Sequence, residues 1–343
     1  MEGDSAPVLV TGGSGYIAGF CIAELIRRGF AVRTTVRSLA REAEVRAALA
    51  KLVDTTGDLT FFVADLNDDA GWDAAVAGCA YVLHVASPLP INNPKDDDEL
   101  VRPARDGALR VLRAARQAGV KRVVMTASVA CIAYGHGSRS VPFTEADWTD
   151  ETNLADTSAY ERSKTIAERA ARAWVATEGG ALELVTVHPG AVLGPVLGRD
   201  FSASIEIVKK LMDGSVPGIP RFGFPLVDVR DIADLHMRAM LTAGIAGERF
   251  IGVSDFAWMA DVARVLKAGL GPRGKKVPGM KIPDFVVRLF SVFDPAIRSR
   301  LFELGKYRPA SAEKARQVLG WAPRPNEESI MDTAESLLAE GIL

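Results

Sequence analysis

The apolar, β-branched run Val8-Leu-Val-Thr11 leads without a break into Gly12-Gly-Ser-Gly15, and then into Tyr16-Ile-Ala18 at the head of a helical pattern. No other stretch constrains the fold as much. A strand that turns on glycines directly into a helix opens a β-α unit, and repeated units of this kind form a parallel sheet. Gly12 permits the tight turn. Gly15 lets the backbone approach a pyrophosphate, which then sits at the positive N-terminus of the helix. The small Ala18 still allows the helix to pack closely on the strand.

The alternation continues through the first 190 residues. Short apolar or β-branched runs at 31–36, 59–64, 81–85, 122–126 and 182–188 read as strands. Helical patterns lie between them at 16–28, 40–52, 73–76, 99–118 and 159–177. Gly29 and Gly119 fall just past two of these helices, where a left-handed cap is expected. After Pro189 the pattern loosens into a Gly- and Pro-rich stretch around a helical patch at 204–212. A helix is predicted at 227–241 and a last strand at 249–253, followed by a mainly helical remainder. The expected fold is α/β, a Rossmann-type doubly wound parallel sheet with helices on both faces and a smaller, mainly C-terminal substrate-binding region. Residues 1–190, with 227–255 returning to them, would form the dinucleotide-binding domain. Residues 191–226 and 256–343 would form the substrate-binding region.

Charge and composition exclude several classes of function. A formal net charge of −2 gives no footprint for nucleic acid or for an anionic membrane. Cys21, Cys79 and Cys131 are scattered, without metal-ligand or redox spacing, and read as reduced and buried. The four histidines are equally dispersed, so no metal site is expected. No secretory leader is visible, since residues 6–11 run straight into the glycine turn. The most apolar late stretch, Phe285-Val-Val-Arg-Leu-Phe-Ser-Val-Phe293, is too short to span a bilayer. It reads as an amphipathic helix packed on the protein, with monotopic membrane contact as the alternative. A cytoplasmic protein with no membrane partner is expected.

In a parallel sheet, ligands bind at the carboxyl ends of the strands. The second strand ends in Val36-Arg37-Ser38, with no acid to accept bonds from ribose hydroxyls. Arg37 instead offers a planar cation suited to a 2′-phosphate, with Ser38 and Arg41 placed to assist. NADP(H) is therefore expected over NAD. Asp65 and Leu66 follow the third strand, where a carboxylate reaches toward an adenine amine. Val85, Ala86 and Ser87 end the fourth with small residues, as the crevice requires. Thr11, Gly12, Gly15, Tyr16 and Ile17 complete the nucleotide side.

Tyr160 and Lys164 stand four residues apart on one helical face. An ammonium one turn from a phenol favours the phenolate, and so tunes the tyrosine for proton transfer near neutral pH. Ser128, just past the strand at 122–126, emerges at the same edge, where a hydroxyl can hold a carbonyl oxygen. With this trio the chain resembles an extended short-chain dehydrogenase/reductase, and within that superfamily the dihydroflavonol-reductase-like group. The likeness is carried by the TGxxGxxA turn, Val36-Arg37, Asp65-Leu66, His84-Val-Ala-Ser-Pro88, Thr126-Ala-Ser128, Tyr160-Glu-Arg-Ser-Lys164 with Glu168, and His188-Pro-Gly190. Val227-Asp-Val-Arg-Asp-Ile232 and the late Leu-Gly-Trp321 also match.

The resemblance implies an NADPH-dependent oxidoreductase, a carbonyl reductase running in reverse as an alcohol dehydrogenase. Tyr160 would protonate the substrate oxygen, Lys164 would assist it and bind the nicotinamide ribose, and Ser128 would position the carbonyl. Pro189, Gly190 and Val192 would pass near the nicotinamide. Ala133 stands near where plant flavonoid reductases carry an Asn, which argues against a true dihydroflavonol. The expected pocket segments, 89–91, 131–134, 192–195 and 221–226, are mostly apolar and include Tyr134, Phe222 and Phe224. They suit a small hydrophobic, aromatic ketone or aldehyde. Two other readings stay open. One is a nucleotide-sugar epimerase or dehydratase of the same fold, although Val129 and Ala130 stand where a dehydratase carries an acidic pair. The other is an NADP-sensing regulator without catalysis. Helices 99–118 and 159–177 could also pair two copies into a homodimer.

Overall fold

A computed structural model describes residues 6–88, 96–198 and 200–343. Its main sheet is built from β1 (Val8–Val10), β2 (Val32–Val36), β3 (Leu59–Val63), β4 (Tyr81–His84), β5 (Arg122–Thr126), β6 (Glu183–Pro189) and β9 (Arg249–Gly252). Their spatial order is β3-β2-β1-β4-β5-β6-β9, and every pairing is parallel. The order reverses between β1 and β4, the position where a doubly wound sheet opens its ligand crevice. A second sheet pairs β7 (Ala191–Leu193), β8 (Gly223–Asp228) and β10 (Phe256–Trp258).

Alternate residues of the central strands feed two cores. Val8 and Val10 face one layer and Leu9 the other, as do Leu83 against Val82, Val124 against Val123, and Val185 against Leu184. Both faces are dry, so these strands read as near-continuous apolar runs. Helices α1 (Tyr16–Arg27), α2 (Glu42–Leu49) and α7 (Val229–Leu241) cover the first face. Helices α3 (Trp72–Val76), α4 (Asp98–Gln117) and α5 (Ala159–Glu178) cover the second. The two long helices α4 and α5 pack on each other. Helices α6 (Ala203–Asp213), α8 (Met259–Leu270), α11 (Glu313–Leu319) and α12 (Asn326–Ala339) surround the small sheet and the end of the main one, while α9 (Asp284–Phe290) and α10 (Pro295–Arg298) precede α11.

Gly29 and Gly119 adopt the expected left-handed backbone, at φ 80° and 73°. The helix expected at 227–241 starts two residues later. Val227 pairs with Val192 in the small sheet, and the Asp228 carboxylate caps α7 by accepting from the Arg230 N–H at 2.8 Å. The late apolar stretch also differs from expectation. It forms a helix only over Asp284–Phe290, and Phe285, Leu289, Phe290, Val292 and Phe293 stay exposed instead of packing on the protein. The three cysteines are free and buried, as expected. Among the described residues, no helix is long and apolar enough to cross a membrane.

Two buried histidines make stability depend on pH. His236 bonds the Thr126 hydroxyl at 2.7 Å and the Ile232 carbonyl at 2.8 Å. Burial pushes its pKa down to about 4, against a backbone bond that opposes the shift. Burial and then the Lys164 charge push His84 down to about 3. The unfolded chain binds these protons near pH 6.5 and the folded chain does not, so acidification below that value removes stability. Glu303, pushed up to about 7 by burial, works in the opposite sense. His236→Leu should therefore lose less thermal stability than the wild type between about pH 7 and about pH 5. Parallel losses in the two melts would mean that His236 is not held neutral.

Candidate active site

The glycine turn is tied into the sheet by hydroxyls. Thr11, fully buried, accepts from the Ala86 N–H at 2.9 Å and bonds His84 Nδ1 at 3.0 Å, which joins the end of β1 to the end of β4. The Thr11 oxygen has a second lone pair as well as a proton, so the tautomer of His84 sets which of the two donates in their bond. Gly12 has φ 71° and donates its N–H to Thr35 Oγ1 at 2.9 Å. A methyl group on Gly12 would lie 3.0 Å from the Ala86 side chain. Gly13, which the sequence did not single out, is more restricted: a Cβ there would lie 2.2 Å from Thr34 Oγ1. The doubled glycine was the available signal. Gly15 is the exposed N-cap of α1, with only the Gly12 carbonyl near its missing side chain. Tyr16 turns its ring into the core against Phe20, and Ile17 is half-buried.

The other nucleotide-side residues stand at strand ends, as their sequence positions require. Arg37 is exposed after β2 and makes no ion pair among the described residues. Arg41, expected to assist it, is already engaged by Glu44, Asp200 and the Ser14 hydroxyl. Ser38 caps the following turn, accepting from the Ala40 N–H at 3.3 Å. Asp65 follows β3 and accepts from the Asn67 N–H at 2.8 Å, while Leu66 packs beside Gly107. Val85, Ala86 and Ser87 are half-buried beyond β4. Pro189 ends β6, and Gly190 lies so close to Pro225 that a side chain would not fit. Val192 is a core residue of the small sheet.

Ser128, Tyr160 and Lys164 come together where β4 and β5 end. Ser128 opens a short 3-10 turn and accepts from the Ala130 N–H at 3.1 Å. Its hydroxyl also lies near enough to the Tyr160 phenol to lower that group's pKa. Tyr160 lies in the first turn of α5, where a capping box fixes the backbone. There the Ser158 hydroxyl accepts from the Tyr160 N–H at 3.2 Å, and Glu161 accepts from the Ser158 N–H at 2.7 Å. Lys164 is buried and donates to Ser87 Oγ at 2.8 Å, with its Nζ 5.9 Å from the centre of the Tyr160 ring.

The electrostatics differ from the expectation that Lys164 lowers the phenol pKa. Burial pushes Tyr160 up to about 12, the nearby Ser128 hydroxyl opposes this, Glu161 and Cys131 add to it, and Arg300 offsets it. The Lys164 charge is directed at Ser87, and burial lowers its own pKa. Tyr160 is thus held protonated. Arg300 carried no sequence signal.

Behind the trio lies a buried ionic network. Glu168, one turn beyond Lys164 and fully buried, accepts from Arg249 at 2.9 and 3.1 Å, from Arg172 at 3.1 Å and from the Thr186 hydroxyl at 3.1 Å. His188 Nε2 bonds it at 2.8 Å and, because a carboxylate only accepts, carries the proton there. Burial opposes ionisation of Glu168, but His188 and Arg249 outweigh it and hold the carboxyl well below its usual range. Cys131 joins Glu168 and His188 in one cluster, with ligand atoms within 4.8 Å, a meeting that the dispersed sequence positions gave no sign of. Two guanidiniums already occupy the carboxylate, which makes this an ion-pair network and a poor cradle for a cation.

On the substrate side, Ala133 is buried in the core and presents no wall to a ligand. Tyr134 lies under the Arg308 guanidinium at 4.6 Å and edge-on to Phe302 at 6.2 Å. Arg308 in turn bonds Glu303 at 2.6 Å and Asp156 at 2.5 Å, which docks the C-terminal segment against the approach to α5. Phe222 and Phe224 are half-buried. The expected segment at 89–91 lies outside the described residues.

Residues 8–251 match the model of the NAD dependent epimerase/dehydratase family, and the chain belongs to that family. Within it the chain is an extended short-chain dehydrogenase/reductase of the dihydroflavonol-reductase-like kind, an NAD(P)-dependent oxidoreductase. It is 32% identical over 338 residues to cinnamoyl-CoA reductase CAD2 of Medicago truncatula, covering 96% of this chain and 95% of that one. It is 30% identical over 273 residues to dihydroflavonol 4-reductase of Hordeum vulgare, covering 78% and 76%. Among solved structures it is similar to yeast methylglyoxal/isovaleraldehyde reductase Gre2 complexed with NADPH. That match has a TM-score of 0.81 and 25% identity, covering 98% of this chain and 100% of that one.

Proposed function

We propose that this protein is an NADPH-dependent carbonyl reductase, converting a hydrophobic, aromatic ketone or aldehyde reversibly to its alcohol. The observation that carries this reading is the Ser128–Tyr160 hydroxyl pair with Lys164 beneath it, set beside the glycine turn at the carboxyl edge of the sheet. The residues present fit a dinucleotide. Gly15 leaves the head of α1 open to a pyrophosphate, and Arg37 is a planar cation with no ion pair among the described residues, where a 2′-phosphate would lie. The bound cofactor supplies the hydride.

The chain's own residues position the substrate and provide the proton. Ser128 donates to the carbonyl oxygen and fixes the plane of approach. Tyr160, held neutral by burial, delivers its proton to that oxygen as negative charge develops there. Lys164, anchored by Ser87, keeps a positive charge beneath the pair and offers a donor to a ribose hydroxyl. Residues 191–226 and 256–343 form the substrate-binding region, with Tyr134, Phe222 and Phe224 toward the substrate. The reductases named among the relatives support carbonyl reduction as the reaction class. The mainly apolar lining supports an aromatic substrate.

Tyr160→Phe should lower turnover by about 100-fold or more while leaving NADPH affinity near wild type, as measured by steady-state rates and cofactor titration. Near-normal turnover would remove Tyr160 as the acid. Arg37→Ala should weaken NADPH by about tenfold or more and NADH little, in line with the loss of a charge-assisted bond. Equal weakening of both would remove the 2′-phosphate role.

A further inference from the structure

The segment between the small sheet and α11 presents an apolar face that the described residues leave uncovered. Fourteen large apolar side chains are exposed among the described residues, and six of them fall within 280–293. They are Met280, Phe285, Leu289, Phe290, Val292 and Phe293, between 56% and 80% exposed. Only Val287 and Ser291 turn inward from this helix and its exit. Scattered exposed leucines are ordinary, but a contiguous group with three phenylalanines marks a contact surface.

Charge indicates what the surface contacts. Residues 271–306 hold eight basic and three acidic residues, in a chain whose net charge is −2. Lys281 and Arg288 are exposed beside the apolar group and make no ion pair among the described residues. Arg298 donates to the backbone carbonyls of Ser291 and Val292, so its charge stays at the edge of the patch. Asp284 is taken by Arg221. A second copy related by a two-fold axis would bring this basic rim against itself. Aromatic and aliphatic side chains ringed by lysine and arginine instead fit the boundary of an anionic bilayer, where rings enter the acyl layer and cations meet the headgroups.

We infer that this face docks peripherally on an anionic lipid surface. Such contact needs no spanning helix, and it takes up the alternative reading of the 285–293 stretch in place of the packed helix, since these side chains stay exposed. The Arg221–Asp284 pair and the Tyr134–Phe302 contact join this segment to the proposed substrate region, so docking would turn the approach to the site toward the membrane. This orientation rests on the proposed reductase reading, but the lipid binding itself does not.

The test is flotation of the purified 343-residue chain with vesicles of phosphatidylcholine alone and with added phosphatidylserine. The expected result is co-flotation with the anionic vesicles only, lost at high salt. Arg288→Glu should lower partitioning by more than about fivefold, the worth of one basic charge near such a surface. Phe290→Ser with Phe293→Ser should abolish it. Both variants should keep the wild-type melting temperature and NADPH affinity. Absence of flotation with either vesicle would overturn the inference. So would a wild-type dimer that becomes monomeric in the phenylalanine variant, since that would make a second copy the occupant.

Discussion

The site depends on one buried carboxylate. Glu168 sits on α5, one turn beyond Lys164 and two turns beyond Tyr160, and it takes bonds from Arg249, Arg172, Thr186 and His188. These partners come from β9, α5 itself and β6, so the helix is fixed in rotation and in height against the sheet. A buried ion pair adds little net stability, but removing one partner costs about 3–5 kcal/mol because the other charge is left unpaired. The network therefore acts more as a register lock than as a source of stability. A small rotation of α5 would carry the Tyr160 hydroxyl away from Ser128 and the Lys164 ammonium away from Ser87.

A second linkage holds the nucleotide side in register with the catalytic side. The Thr11 hydroxyl joins the glycine turn to Ala86 and His84, and Ser87, the residue after Ala86 on that strand end, receives Lys164 from α5. Turn, strand end and helix are thus connected through two hydroxyls. His84 remains neutral in this arrangement, which places no further positive charge beside Lys164. In the proposed reaction, burial keeps Tyr160 protonated and so suits it to donate in the direction of reduction.

The central strands were legible because both faces of the sheet are dry, so their sequences are unbroken apolar runs. The glycine turn and the Tyr160–Lys164 spacing were legible because their backbone and helical periodicity are local. What the sequence did not reveal was long-range. Val227 and Asp228 look like the start of a helix, and only pairing with Val192 makes them strand. A glutamate in a helix usually faces water, and only folding brings Arg249 and His188 to Glu168. Gly13 is fixed by a threonine on the neighbouring strand. The 285–293 stretch has the periodicity of a packed helix, yet the described residues supply no surface that covers it.

The most direct test of the reductase account is the rate of NADPH and NADH oxidation by the purified protein across a panel of aryl ketones, aldehydes and keto esters. The account predicts turnover that is selective for NADPH and strongest with the hydrophobic aromatic members. Tight NADPH binding without turnover of any carbonyl would contradict it.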